Sequence, residues 1–106
     1  MNGLFTLADG VSEKEFLPAF EAFYQHLREM GFVRNYRMMR RQPLEGFGAP
    51  LPDFDYHVEI EFPSLEQDQA CYDYVNKNEE SVRSLHRAMN CKVRRGSAYF
   101  FLGTYL

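Results

Sequence analysis

The segment DFDYHVEIEF, residues 53–62, alternates between apolar and polar side chains along its whole length. Its apolar residues are Phe54, Tyr56, Val58, Ile60 and Phe62. Between these apolar residues lie the polar residues Asp55, His57, Glu59 and Glu61. Successive side chains of a β-strand point to opposite faces, so this pattern predicts a strand over 54–62 with one face in a core. The other face presents a histidine among carboxylates, either to solvent or to a pocket.

Helix signals lie on both sides of this strand. Ser12 followed by Glu15 is a capping-box pattern that predicts a helix starting near residue 13, and Gly31 is well placed to end it. Ser64 followed by Gln67 predicts a second helical start. The segment NKNEE (76–80) is expected to divide the second helical region into two pieces.

Three further segments predict strands. They are the apolar run 3–8, the segment 32–41, and the aromatic segment 91–106, which suits one strand or a pair of short strands. Residues 42–53 hold three prolines and two glycines and predict a loop. The order strand–helix–strand–strand–helix–strand predicts one ferredoxin-like α+β domain (βαββαβ) over 1–106. Its four-stranded antiparallel sheet has both helical regions on one face.

The polar row of 54–62 then lies on the open face of the sheet. Asn35, Arg37, Met39 and Arg41 form the less apolar side of 32–41 and are expected to share this face with the row. In a site, His57 would act as general acid or base, and Glu59 or Asp55 would orient it. The other reading is that His57 is a polar residue paired with an arginine or facing water. We expect Arg37, Asn35 and Tyr99 to contribute ligand-binding groups. One strand supplies too few ligands for a metal site, so none is predicted.

The composition argues against several classes of function. A net charge of −3 and a pI of about 5.6 give no electrostatic attraction to nucleic acid or anionic lipid. The segment RRGSAYFFL (94–102) matches an RNA-binding strand only in part, with Ser97 and Leu102 where aromatics belong. The loop ADGVSEKEF (8–16) is acidic and has no arginine, unlike a phosphate-binding loop.

Cysteine usage and the N-terminus bear on location. Cys71 and Cys91 are far apart and form no C-x-x-C motif, so they are expected to be free thiols in a reducing compartment. The first ten residues have no basic region or long apolar run, and no stretch approaches the ~20 apolar residues of a membrane span. We therefore expect a cytoplasmic protein with no nucleic-acid or membrane partner and no tightly bound cofactor.

The segment YHVEIEFPSLEQDQACYDYV (56–75) has a strand ending in an acidic-aromatic pair, a Pro-Ser turn and an amphipathic helix. With the element order and chain length, it resembles the dimeric α/β-barrel superfamily. That group includes antibiotic-biosynthesis monooxygenases, EthD-like proteins, stress-responsive barrel proteins and many uncharacterised bacterial families. The haem-degrading branch is the least similar, because its catalytic set includes a tryptophan and this chain has none.

The resemblance implies a homodimer whose sheets close face to face, with a small organic molecule in a cavity of each subunit. The expected function is the binding of a small molecule. If the protein is an enzyme, it is expected to be a cofactor-independent monooxygenase or an isomerase. The alternative is a non-enzymatic structural or regulatory dimer. The aromatic residues of 99–105 independently favour a subunit interface, because aromatic side chains on both sides of a terminal strand are unfavourable in water.

Overall fold

The computed structural model describes residues 1–77 and 79–106. Its strands are β1 (Asn2–Phe5), β2 (Asn35–Arg40), β3 (Tyr56–Glu61) and β4 (Tyr99–Phe101); its helices are α1 (Glu13–Glu29), α2 (Leu65–Asn76) and α3 (Glu80–Asn90). The strands lie in the order β2-β3-β1-β4, and all neighbours are antiparallel. This is the predicted ferredoxin-like α+β arrangement, with the second helical region in two pieces.

The helix boundaries follow the capping signals. Ser12 Oγ accepts the Glu15 amide at 3.3 Å, and the Glu15 carboxylate accepts the Ser12 amide at 3.5 Å, which completes the capping box of α1. Gly31 follows α1 with a φ of 84°, a conformation that favours glycine. Ser64 Oγ accepts the Gln67 amide at 3.2 Å at the start of α2. The predicted break at 76–80 separates α2 from α3, and its residue Asn78 lies outside the described residues.

The hydrophobic core lies between the helices and one face of the sheet. It contains Phe5, Leu7, Phe16, Phe20, Phe23, Tyr24, Leu27, Val33, Val58, Ile60, Cys71 and Val82. Val58 and Ile60 come from the apolar side of β3, as the alternation predicts. The molecule is 20 Å across its shortest dimension, which matches one helix layer on one sheet at about 10 Å each. The sheet of the single chain is open and does not close into a barrel.

The last strand is shorter than predicted. Of the segment 91–106, only Tyr99–Phe101 forms regular strand pairing, preceded by a single bridge between Leu7 and Val93. The intervening backbone follows the end of β1 irregularly: the Arg94 amide donates to the Thr6 carbonyl at 2.8 Å. Gly96 then turns the chain with a φ of 77°, which interrupts a continuous ladder.

Candidate functional site

Two rows of side chains cross the open face of the sheet. Directly paired residues of antiparallel strands project to the same face, so the register identifies both rows. The first row is Arg37, Glu59, Asn2 and Phe101; the second is Met39, His57, Leu4 and Tyr99. The predicted assignment of Arg37 and Met39 to the face of His57 is confirmed by this register.

Glu59 is the centre of the first row's polar contacts. Arg37 Nη2 donates to Glu59 Oε1 at 2.9 Å, and the Tyr105 hydroxyl donates to the same oxygen at 2.7 Å. The hydrogen bond from Tyr105, followed by that from Arg37, lowers the pKa of the Glu59 carboxyl. The carboxylate in turn raises the pKa of the Tyr105 phenol. Glu59 is therefore an ionised acceptor at neutral pH.

His57 is half-buried in the second row, where its partner is an amide. His57 Nε2 lies 2.9 Å from Asn2 Oδ1. An amide oxygen only accepts, so this assignment places the ring proton on Nε2 and leaves Nδ1 as an acceptor. In the described part of the chain, Nδ1 makes no hydrogen bond. An imidazole with Nε2 occupied in this way presents Nδ1 for proton exchange with a ligand.

Asn35 and Tyr99 lie on the same face but away from His57. Asn35 is exposed and pairs in register with Glu61, whose carboxylate is 3.5 Å from Arg34 Nη1. Tyr99 pairs with Leu4, which lies between it and His57. Neither side chain hydrogen-bonds to His57 or Glu59 among the residues described. The structure thus brings Arg37 and Glu59 into contact. The ligand-binding roles of Asn35 and Tyr99 stay predictions.

Asn2 and Tyr105 are polar partners that the sequence did not reveal. Tyr105 was predicted only as part of an aromatic interface, and Asn2 not at all. A tyrosine beyond the end of a strand has no spacing rule that relates it to another strand. Asn2 becomes visible as a partner only once the register Asn2–Glu59 and Leu4–His57 is known.

A cavity of about 370 Å³ lies beside Glu59 at the end of the sheet. Its lining includes Asn2 and Glu59 from the open face and Leu65 and Asp68 from the start of α2. We call residues 102–106 the C-terminal tail, and residues 102–105 of this tail also line the cavity. This volume lies within the usual range for small-molecule pockets. His57 lines neither this cavity nor the second one, which adjoins Arg41, Asp55 and Arg94. Enclosure of His57 therefore requires a second layer on the open face.

Other groups contribute little to the chemistry of this face. Within residues 1–77 and 79–106, no cluster of three or more His, Cys, Asp or Glu side chains is placed to hold a metal ion. Over the same residues, no helix has the length and apolar character to cross a membrane. Both cysteines are free thiols, and burial raises the pKa of Cys71 to about 11, which makes it a poor nucleophile.

Residues 2–101 match the model of a protein family described as "Family of unknown function (DUF6614)". Comparison with curated proteins found no match. Among solved structures, the Arabidopsis thaliana protein At3g17210 aligns with a TM-score of 0.71 at 10% identity, over 99% of this chain and 94% of that one.

Two bacterial structures are also similar. A dimeric ferredoxin-like protein of unknown function from Thermobifida fusca aligns with a TM-score of 0.55 at 16% identity, over 95% of this chain and 87% of that one. A dimeric protein of unknown function with a ferredoxin-like fold from Bacteroides fragilis gives a TM-score of 0.51 at 15% identity, over 92% and 86%. At these identities the comparisons establish the fold.

Proposed function

We propose that this chain, which belongs to the family of unknown function DUF6614, forms a homodimer through its open sheet faces and binds a small organic molecule beside His57 and Glu59. One observation carries the proposal. A face with a half-buried histidine and an ionised carboxylate also exposes Met39, Tyr99 and Phe101, and none of the described helices covers it. A surface of that composition is typical of an interface.

Two observations support the proposed homodimer. Both helical regions pack on the other face of the sheet, so a second copy would supply a matching layer for the open face. Two of the similar structures are described as dimeric, although their identity to this chain is low. A second copy over the open face would enclose His57, which lines neither of the two cavities described above.

The reaction class that suits these residues is proton transfer. His57 Nδ1 would take a proton from a carbon acid and return it to another position, with Glu59 stabilising the imidazolium through space. This is isomerisation, and it needs no cofactor or co-reactant. Cofactor-independent oxidation is the second enzymatic form of the proposal, and it would require dioxygen as a co-substrate. Arg37, Asn35 and Tyr99 are the proposed ligand contacts around these two residues.

A non-enzymatic structural or regulatory dimer is the second candidate. Its support is that Glu59 and His57 each already have a hydrogen-bond partner within the chain. Glu59 accepts from Arg37 and Tyr105, and His57 contacts Asn2. Side chains that already have hydrogen-bond partners need no ligand to compensate for the loss of water when an interface buries them.

A thermal-shift screen against small aromatics, quinols and lactones distinguishes the two candidates. A ligand at about a hundredfold over its Kd adds about 2.7 kcal/mol to the free energy of unfolding, which raises Tm by roughly 10 °C or more in a domain of this size. We expect the shift to fall in His57→Gln and to persist in His26→Gln. His26 is the matched control because it lies on α1, where it contacts Tyr74. No hit across the screen would favour the structural dimer.

A further inference from the structure

The C-terminal tail is held on the open face by one side-chain hydrogen bond. Among the residues described, the hydrogen bond from Tyr105 to Glu59 is the only one that the tail makes. Its side chains are largely exposed, with Tyr105 at 69%. A segment with so few contacts detaches at little cost in free energy. Within the single chain, the tail is therefore a displaceable occupant of the Glu59 surface.

The contact itself resembles the binding of a ligand. The phenol of Tyr105 donates to Glu59 Oε1 at 2.7 Å, and Arg37 donates to the same oxygen at 2.9 Å. Hydrogen bonds to an ionised carboxylate are among the stronger ones in proteins. Glu59 Oε2 has no hydrogen bond among the described residues, so Tyr105 is the one hydroxyl that Glu59 binds there.

We propose that Glu59, oriented by Arg37, is a binding subsite for a phenolic hydroxyl group, and that Tyr105 of the tail fills this subsite until a free phenol displaces it. The inference rests on the small-molecule site of the proposed function and names the chemical class of its ligand. It also gives the tail a role as an internal competitor.

The surroundings of Glu59 favour a neutral donor over a charged one. An anionic ligand would be repelled by the carboxylate, and a cation would meet the Arg37 guanidinium on the same oxygen. A phenol presents an O–H donor together with an apolar ring. The ring would adjoin Phe101, which lies in the same row, and the cavity that the tail borders. Ring and hydroxyl thus match separate parts of this surface.

The test uses 4-methylphenol, the side chain of tyrosine as a free molecule, on the 106-residue chain, observed by amide NMR. With about eight non-hydrogen atoms it should bind in the millimolar range, comparable with the effective concentration of a tethered tail. We expect the amide signals of 102–106 to move to disordered positions as 4-methylphenol binds. In Tyr105→Phe, which removes the competing hydroxyl, binding should tighten several-fold.

Matched controls separate the hydroxyl from general apolar binding. The ligand 4-methylanisole has the same ring without the O–H donor and should bind at least several-fold more weakly. Tyr72→Phe removes an exposed hydroxyl on α2 that makes no hydrogen bond in the described part of the chain, and it should behave as wild type. Glu59→Leu removes the acceptor and should abolish specific binding.

Several outcomes would overturn the inference. One is equal binding of 4-methylphenol and 4-methylanisole, and another is amide signals of 102–106 that do not move as 4-methylphenol binds. Equal affinity of Tyr105→Phe and Tyr72→Phe for 4-methylphenol, or no binding of 4-methylphenol to any of the variants, would also overturn it. The proposed function fails separately. A compound from the thermal-shift screen that depends on His57 would leave it standing even if the phenol subsite were disproved.

Discussion

At the scale of single residues, Glu13 connects the two layers of the fold. It lies in the first turn of α1, where its carboxylate accepts two hydrogen bonds from the Arg40 guanidinium of β2 and one at 2.9 Å from the Tyr56 hydroxyl of β3. The bidentate Arg40 contact, followed by that from Tyr56, lowers the pKa of Glu13 to about 2. One carboxylate thus ties a helix to two strands.

This contact predicts a pH dependence of stability. A carboxyl group with a depressed folded-state pKa stabilises the fold above its unfolded value and loses that effect as pH falls through the folded value. For Glu13 the window runs from its ordinary 4.5 down to about 2. We expect Glu13→Gln to lower Tm by a few degrees at pH 7, because the pair is exposed to solvent, and to flatten the fall in Tm across this window. Thermal melts followed by circular dichroism measure Tm at each pH. Glu45→Gln is the control, because Glu45 lies in the exposed loop without an ion pair among the described residues.

At the scale of elements, α1 is the most fully specified part of the chain. Its capping box sets the start, and Phe16, Phe20 and Leu27 bury one face of it against the sheet. Pro18 lies in the second turn of the helix, where it removes one backbone hydrogen bond; the capping box and the buried face outweigh that local cost. Local signals and tertiary packing therefore agree on the same helix.

Removing the cap should weaken that helix measurably. Ser12→Ala deletes the acceptor for the Glu15 amide, and such losses cost about 1 kcal/mol. Urea unfolding should show this loss with an unchanged m-value. Ser81→Ala on α3 is the matched control, since Ser81 is exposed within a helix and makes no hydrogen bond in the described regions. An equal loss in both variants would contradict the role assigned to the cap.

At the scale of the whole molecule, the arrangement of layers makes an assembly of two copies the central expectation. A two-layer molecule 20 Å thick leaves one sheet face without a packing partner. Strand β4 marks the two sides clearly, because Phe101 points to the open face and Phe100 to the helix side. Both are exposed, at 53% and 65%.

These two phenylalanines make a matched pair for testing the dimer. Phe101→Glu would bury a carboxylate in the proposed interface, which costs several kcal/mol and should raise the dimer Kd by about a hundredfold or more. Phe100→Glu makes the same change on the same strand but on the opposite face, and should leave the dimer intact. Sedimentation equilibrium at micromolar concentration measures both. A monomeric wild-type protein, or equal effects of the two variants, would contradict the face-to-face dimer.

The sequence by itself determined the features that depend on neighbours along the chain. The alternation in 54–62 assigned Val58 and Ile60 to the core face of the strand and His57 and Glu59 to the opposite face, because the strand period is a local property of the backbone. Ser12 and Ser64 marked helix starts, because a cap acts within a few residues. The order of these elements was enough for the ferredoxin-like fold.

Tertiary structure decided everything that depends on partners distant in sequence. It set the register that joins Arg37 to Glu59, gave His57 its contact with Asn2, and brought Tyr105 to Glu59 from 46 residues away. It also limited the last strand to Tyr99–Phe101, within a segment for which the sequence predicted one strand or a pair of short strands. No local pattern encodes such contacts, because each depends on the relative placement of whole elements. That placement results from core packing and from backbone pairing across the sheet.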